Sequence, residues 1–277
     1  MTSNDTLSNN KEQYSATLIG CGKMGSAMMM SWLQDGIISN VNVVDPSSLP
    51  VHLQNDPRIN YYPSYNTDIP STDILILAVK PQILKEASEK IASNISSNTI
   101  LLSIAAGQNI STLESIFGSS QPIIRTMPNT PAAIGKGISV SFPNSHVSAK
   151  QKNIADALLS TSGESKWIED ESLMDAVTSL SGSGPAYLFH FIEALADAGK
   201  KLGLDKNMAI SLARQTVIGS AALAEHDSNV TASTLRQNVT SPGGTTQAAL
   251  EVLMDGRFQK ILDDTLSAAK NRSKELS

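Results

Sequence analysis

The stretch Tyr14–Gly25, YSATLIGCGKMG, joins a short apolar run to three glycines. Ala16–Ile19 reads as a buried strand, and Met24–Asp35 is compatible with a helix. Gly20, Gly22 and Gly25 between them form G-x-G-x-x-G. The pattern alone is weak, but between a strand and a helix it reads as a dinucleotide-binding loop rather than a plain Gly-rich turn. Gly20 permits the tight turn, Gly22 lets the backbone approach a pyrophosphate, and Gly25 lets the helix pack on the strand. The helix N-terminus adds free N–H groups and the positive end of its dipole. Cys21, inside the loop, reads as a small filler rather than a redox thiol.

Such a loop expects an acidic residue about 20 positions on, at the end of the second strand. Asp45 stands there, after Val41–Val44. A carboxylate at that point accepts hydrogen bonds from the adenosine ribose and repels a 2′-phosphate, which favours NADH. Ser47 and Ser48 follow and could instead donate to a phosphate, while the next basic residue is Arg58. The plainer alternative is that Asp45 is a turn residue before Pro46.

Further along, Asp73–Val79 (DILILAV) is nearly continuous in apolar residues, as in a parallel strand covered on both faces. Asn42–Asp45, Thr99–Ser103, Pro122–Thr126, Ile138–Ser141 and Lys166–Ile168 read as further strands, and Pro81–Ser93 as a helix with Pro81 in its first turn. This rhythm predicts an α/β fold with a mostly parallel, doubly wound sheet. Near residue 170 the strand signal ends. Ser172–Leu180, Pro185–Leu202, Lys206–Glu225, Gly244–Met254 and Phe258–Lys270 carry apolar residues at three-to-four spacing and are rich in alanine. The expected division is a disordered tail over 1–13, a dinucleotide-binding domain over 14–170, and an all-α domain over 171–277. So short a helical domain is expected to complete its core by oligomerising.

Composition narrows the function classes. The 277 residues carry 21 Lys+Arg against 26 Asp+Glu, a net charge of −5. Neither half is basic, which argues against a nucleic-acid partner. No apolar run approaches the ~20 residues of a membrane helix. Met1–Gln13 is polar and lacks the apolar core of a secretory leader, so a cytoplasmic protein is expected. The single cysteine and four scattered histidines argue against a disulfide framework and a metal site.

Two more segments carry chemistry. Ala78-Val79-Lys80-Pro81 ends strand DILILAV, where ligands bind beyond the carboxyl ends of parallel strands. Ser241-Pro242-Gly243-Gly244-Thr245-Thr246 is Gly-rich, holds three hydroxyls and leads into a helix. Its N–H groups suit a small carboxylate, and it is richer than an N-cap requires.

With GCGKMG, AVKPQ, SIAAG (Ser103–Gly107), RTMPNTPA (Arg125–Ala132), LSGSGPAY (Leu180–Tyr187) and VTSPGGTT (Val239–Thr246), the chain resembles the pyrroline-5-carboxylate reductase family from about Ala16 to Leu266. The resemblance implies a Rossmann domain followed by a helical dimerisation domain. Two subunits would interleave their helical domains, and dimers would assemble into a decamer. It also implies NADPH- or NADH-dependent reduction of L-Δ1-pyrroline-5-carboxylate to L-proline. Cys21, Lys23 and Met24 would then line the phosphate loop. Asp45, with Ser47 and Asn66, would lie at the adenosine side, where the family often has Ser or Thr at position 45. Ala78, Val79, Lys80, Pro81, Ala105 and Ala106 would border the nicotinamide half, and Asn238 would reach the cofactor from a partner subunit. Ser241, Gly243, Gly244, Thr245 and Thr246 would bind substrate, as would Glu171 in the hinge.

Hydride transfer favours an iminium acceptor, yet no His or carboxylate in these motifs stands out as a proton donor. Thr246 is therefore the candidate catalytic residue, orienting and polarising the ring nitrogen. Arg125 is expected to pair within the Rossmann domain, and the Met28–Met30 run to lie in the core. Two rivals stand beside this reading. One is another Rossmann imine or hydroxyacid reductase, but Lys200 and Lys201 lack the G-x-x-x-N-x-x-K context such an enzyme would want. The other is a non-catalytic NAD(H)-binding regulator, which has no need of the SPGGTT turn.

Overall fold

The computed structural model describes residues 12–66 and 68–276. Most of the expected tail lies outside them. Gln13, its last residue, donates its amide to Gly36 O at 3.1 Å.

The first part alternates strand and helix: β1 (Tyr14–Ile19), α1 (Lys23–Asp35), β2 (Ile38–Val44), β3 (Ile59–Tyr62), β4 (Ile74–Leu77), α2 (Pro81–Ile91), β5 (Ile100–Ser103), α3 (Ile110–Phe117), β6 (Ile123–Met127), β7 (Gly137–Pro143), α4 (Ala149–Ser160) and β8 (Gly163–Trp167). They build one sheet in the order β3-β2-β1-β4-β5-β6-β7-β8. β3 through β6 run parallel, and β7 reverses direction against β6. The expected doubly wound sheet is present, with two features the sequence pattern does not carry. β3 is an additional edge strand, and β7 with β8 runs against the rest.

Alternation along the strands explains the two layers. Ile74 and Ile76 of β4 face a core that holds Met28, Met29 and Trp32 of α1 and Leu158 of α4. Leu75 and Leu77 face the other way, against Leu84 and Ile91 of α2 and Leu113 of α3. Burying both faces of a strand requires the near-continuous apolar run that DILILAV supplies. Of the Met28–Met30 run expected in the core, Met28 and Met29 are fully buried, while Met30 is half-buried and packs against the same cluster.

The rest of the chain is helical: α5 (Met174–Val177), α6 (Gly184–Lys201), α7 (Lys206–His226), α8 (Ala232–Asn238), α9 (Thr245–Leu253) and α10 (Arg257–Glu275). Pro185 enters α6 in its first turn, where its missing N–H costs nothing. Asp205 caps α7 by accepting from the N–H groups of Asn207 and Met208. α8 was not expected; Thr231 caps it by accepting from Thr234 N at 3.1 Å.

The chain forms two compact units. One runs to Gly182 and takes in the last turns from Lys270; the other is Ser183–Ala269. In the second unit the buried hydrophobics are Ala196, Ala209 and Ala213, whereas Phe189, Ile218, Val252 and Ile261 are each more than half exposed. Among the described residues no helix is long and apolar enough to cross a membrane.

Packing is close where α1 leaves the glycine loop. A Cβ on Gly25 would stand 2.6 Å from Gly20 O and 3.1 Å from Ala78 Cβ. Gly25→Ala must push α1 off the sheet. The expected cost is about 1–3 kcal/mol, read as a lower urea midpoint with an unchanged m-value.

Candidate active site

At the carboxyl end of the parallel strands, β1 hands the chain to the loop Gly20–Gly22. Gly20 has φ +91°, and a Cβ there would lie 2.8 Å from Val79 Cγ1 and 3.0 Å from Ala78 O. Only glycine fits this turn. A Cβ on Gly22 would meet nothing within 4 Å, so its backbone is open to approach. Gly22 is the N-cap of α1 and carries no side-chain cap. The N–H groups of the first turn therefore have no intrahelical acceptor and face outward as an anion site. Lys23 and Met24 begin that turn, Lys23 exposed and Met24 half-buried.

Asp45 ends β2 beside this loop. Its Oδ2 accepts from Cys21 N at 2.7 Å, and its Oδ1 from Ser47 N at 2.8 Å. Tyr61, on the unexpected edge strand β3, donates its hydroxyl to Asp45 O and Ser47 O, both at 2.9 Å. The carboxylate is thus pinned by two backbone donors, and its backbone by a neighbouring strand. Asn66, further along the β3–β4 connection, is exposed, with its N–H on Ser64 Oγ at 3.2 Å. The nearest downstream cation, Arg58, is engaged by Asp56 at 2.6 Å.

The next strands complete the row. Ala78 is half-buried, Val79 is buried, and Lys80 is the exposed N-cap residue of α2, with Pro81 following in the first turn. β5 leads into Ala105 and Ala106, the first buried and the second half-buried. The structure therefore brings residues 20–25, 45–47, 78–81 and 105–106 to one end of the sheet.

Glu171 belongs to this unit also, and its carboxylate is committed. Oε1 accepts from Ile110 N and from Arg125 Nη1, both at 2.9 Å. Arg125 pairs as expected, but its partner lies in the hinge rather than in the sheet. Sequence reading also missed Asn129. It accepts from Ile138 N at 2.9 Å and donates to Ser181 O at 3.2 Å, tying the RTMPN and LSGSG segments together. These partners are far apart in sequence, and no spacing rule signals them.

The second cluster lies in the helical unit. Asn238 closes α8 and is exposed. The turn that follows positions α9. Gly244 N donates to Ser241 O at 3.0 Å, and Gly243 N to Gln247 Oε1 at 2.7 Å. The N–H groups of Gly243 and Gly244 are thus already used by Gln247 of α9 and by Ser241. The N–H groups of Thr245 and Thr246 open α9 and have no acceptor within the helix. Thr246 is half-buried and Thr245 exposed. Among the described residues no group of three or more His, Cys, Asp or Glu is placed to hold a metal.

A mostly parallel sheet with an open glycine loop, an acid fixed at the end of β2 and a following helical unit place the chain in the class of Rossmann-type dinucleotide-binding proteins. Comparison with known proteins narrows this further. Residues 171–276 match the family described as pyrroline-5-carboxylate reductase dimerisation. Residues 15–107 match the family described as NADP oxidoreductase coenzyme F420-dependent. Pyrroline-5-carboxylate reductase of Pseudomonas aeruginosa is 37% identical over 261 residues, covering 94% of this chain and 95% of the relative. Among solved structures, the reductase from Coxiella burnetii superposes with a TM-score of 0.88 at 33% identity, covering 97% of this chain and 99% of that one. The Plasmodium falciparum pyrroline carboxylate reductase, solved with NADP bound, gives 0.82 at 32% identity, covering 96% and 98%. The chain belongs to the pyrroline-5-carboxylate reductase family.

The Cys21 thiol is pushed up to about 11, first by burial and then by the charge of Asp45. It stays a thiol at neutral pH, consistent with a filler residue. Alkylation by iodoacetamide is expected to be negligible at pH 7 and to rise only above about pH 10, because the thiolate is the nucleophile. Asp45→Asn should move that rise to lower pH.

Proposed function

We propose that the chain reduces L-Δ1-pyrroline-5-carboxylate to L-proline with NADH or NADPH, the last step of proline biosynthesis. One observation carries the reading. Both the dinucleotide loop and the Gly-rich turn before α9 stand intact in a chain that matches the reductase family over nearly its whole length. Neither rival accounts for that turn.

The open backbone at Gly22 and the uncapped start of α1 fit a pyrophosphate. Cys21, Lys23 and Met24 would flank it, with Asp45, Ser47 and Asn66 toward the adenosine ribose. Ala78–Pro81, Ala105 and Ala106 would border the nicotinamide, with Asn238 contributed by a second subunit. When bound, the reduced nicotinamide supplies the hydride. The chain's own part is to bind and orient. The N–H groups of Thr245 and Thr246 hold the substrate carboxylate, while Gly243 and Gly244 shape the turn. The Thr246 hydroxyl orients the ring nitrogen; as a weak acid at neutral pH it polarises rather than protonates.

The fixed negative charge of Asp45 favours NADH. A 2′-phosphate placed beside it would meet a carboxylate held by two N–H groups and unable to turn away. The exposed apolar faces of α6, α7 and α10 favour a homodimer through interleaved helical units, with a decamer as the higher assembly. Such an assembly would act on a small soluble substrate in the cytoplasm.

The test is oxidation of NADH and of NADPH, followed at 340 nm with pyrroline-5-carboxylate. Proline-forming turnover with a preference for NADH is expected. NADH binding without turnover on any cyclic imine would favour the regulator. Thr246→Ala should lower kcat/KM about 10–100-fold without abolishing activity; a fully active variant removes Thr246 from the mechanism. Asp45→Ser should raise the NADPH:NADH ratio of kcat/KM by about tenfold or more.

Sedimentation of the wild-type protein should give a dimer or a multiple of it. Ile261→Asp should shift the distribution toward monomer.

A further inference from the structure

The loop Ile104–Asn109 carries Ala105 and Ala106 from β5 to α3. An Ala-Ala-Gly segment leaves room for a ligand but has almost no side chain with which to hold its own shape. Its first residue is fixed by the sheet, Ile104 N donating to Leu77 O at 3.0 Å. Ala105 N donates to Ser103 Oγ at 3.4 Å, and Asn109 Oδ1 accepts from Thr112 N at 2.8 Å; two further anchors come from elsewhere in the chain.

One anchor is Glu171. Its Oε1 accepts from Ile110 N, the first N–H of α3, at 2.9 Å. An anion at a helix N-terminus satisfies an orphan donor and the dipole together. The same oxygen accepts from Arg125 Nη1. Arg125 is 5% exposed, and it stands on β6 in register with Ser103, the last residue of β5. A buried cation thus fixes the carboxylate that fixes the far end of the loop. The geometry is specific, since a charge left alone at this depth is strongly disfavoured.

The other anchor is the end of the chain. Gly107 is buried, with φ +73°, and a Cβ there would lie 2.7 Å from Leu276 O. Leu276 is held in turn, its N–H donating to Ser273 O at 3.2 Å. Ser273 is 5% exposed and donates its hydroxyl to Asp175 Oδ1 at 2.7 Å. The middle of the loop is therefore covered by backbone from the last turn of the protein.

We infer that Glu171 and the C-terminal residues around Leu276 are positioning residues, clamping the loop Ile104–Asn109 so that Ala105 and Ala106 meet the nicotinamide half of the cofactor. The inference rests on the cofactor-lining role proposed above for those two alanines. It reassigns Glu171 from substrate contact to support of the cofactor pocket. Both anchors flank the helical domain in sequence, so the nicotinamide end depends on residues outside the strand–helix repeats that bind the adenosine end.

The test is calorimetric titration of the full-length protein with NADH and with ADP-ribose, which lacks the nicotinamide. Glu171→Ala is expected to weaken NADH binding by about tenfold while leaving ADP-ribose within about twofold. Glu171→Gln, whose amide oxygen can still accept from both donors but leaves Arg125 without its counter-charge, should recover part of the lost NADH affinity. Deleting Leu276 and Ser277 should repeat the selective loss, and it stands in for Glu171→Ala should that variant not fold. Unchanged NADH affinity in both variants overturns the clamp. Equal loss of both ligands also overturns it, because it marks a general structural role. Ala106→Leu separates this inference from the reading beneath it. If that variant binds NADH normally, the loop does not border the nicotinamide. If it binds NADH poorly while the anchor variants do not, the clamp alone fails.

Discussion

Gly20 O lies 2.6 Å from where a side chain at Gly25 would begin, and the rest of the dinucleotide site depends on that side chain being absent. With hydrogen in its place, α1 starts directly against the ends of β1 and β4. The uncapped N–H groups of its first turn then open at the carboxyl edge of the sheet, where Asp45 and Ala78–Lys80 also end. A retreat of α1 by even the width of a methyl group would draw Cys21 N away from the carboxylate that accepts from it at 2.7 Å. One steric condition therefore sets both the open first turn of α1 and the position of the Asp45 carboxylate beside it.

The elements legible in the sequence are those whose burial leaves a pattern. β4 is covered on both faces and reads as an apolar run; α1, α2, α6 and α7 show helical spacing. β3 escapes because Ile59–Tyr62 lies at the sheet edge with no residue fully buried, so alternation never develops. α8 has one large apolar residue, Leu235, and so no stripe. The reversal of β7 is invisible for another reason. Periodicity reports which face a residue takes but not which way the strand runs. The site divides along the same line. The glycine loop and Asp45 are local and have a spacing. The Glu171 carboxylate joins Arg125, 46 residues away, to Ile110, 61 residues away, and such a meeting exists only once the sheet has formed.

The helical unit shows the limit of amphipathic pattern from the other side. α6 and α7 pack on each other, and the buried hydrophobics they carry are Ala196, Ala209 and Ala213. Small residues let the two helices pack closely, and the large side chains are turned outward as a consequence. Phe189 at 62% and Ile261 at 61% exposure are costly to leave in water. This fits the match of residues 171–276 to a dimerisation family.

The proposed substrate turn raises a different electrostatic question. Its donors are neutral: the N–H groups of Thr245 and Thr246 and the hydroxyl of Thr246. A lysine or arginine clamp would grip the substrate carboxylate harder, but it would also place a full positive charge near the ring nitrogen. Protonation of that nitrogen makes the carbon electrophilic, and a neighbouring cation opposes it, as like charges lower the pKa of a basic group. Helix dipoles and oriented N–H groups supply about half a charge, confined to the first turn. In the proposed role they would hold the anion while leaving the iminium electrostatically tolerable. A turn without a cation therefore suits the proposed role, in which it would bind one end of a zwitterion without penalising the other. The carboxylates of the first unit fit the same logic. Asp45 and Glu171 are committed to backbone donors and to Arg125, so neither is offered to the substrate as a competing acid.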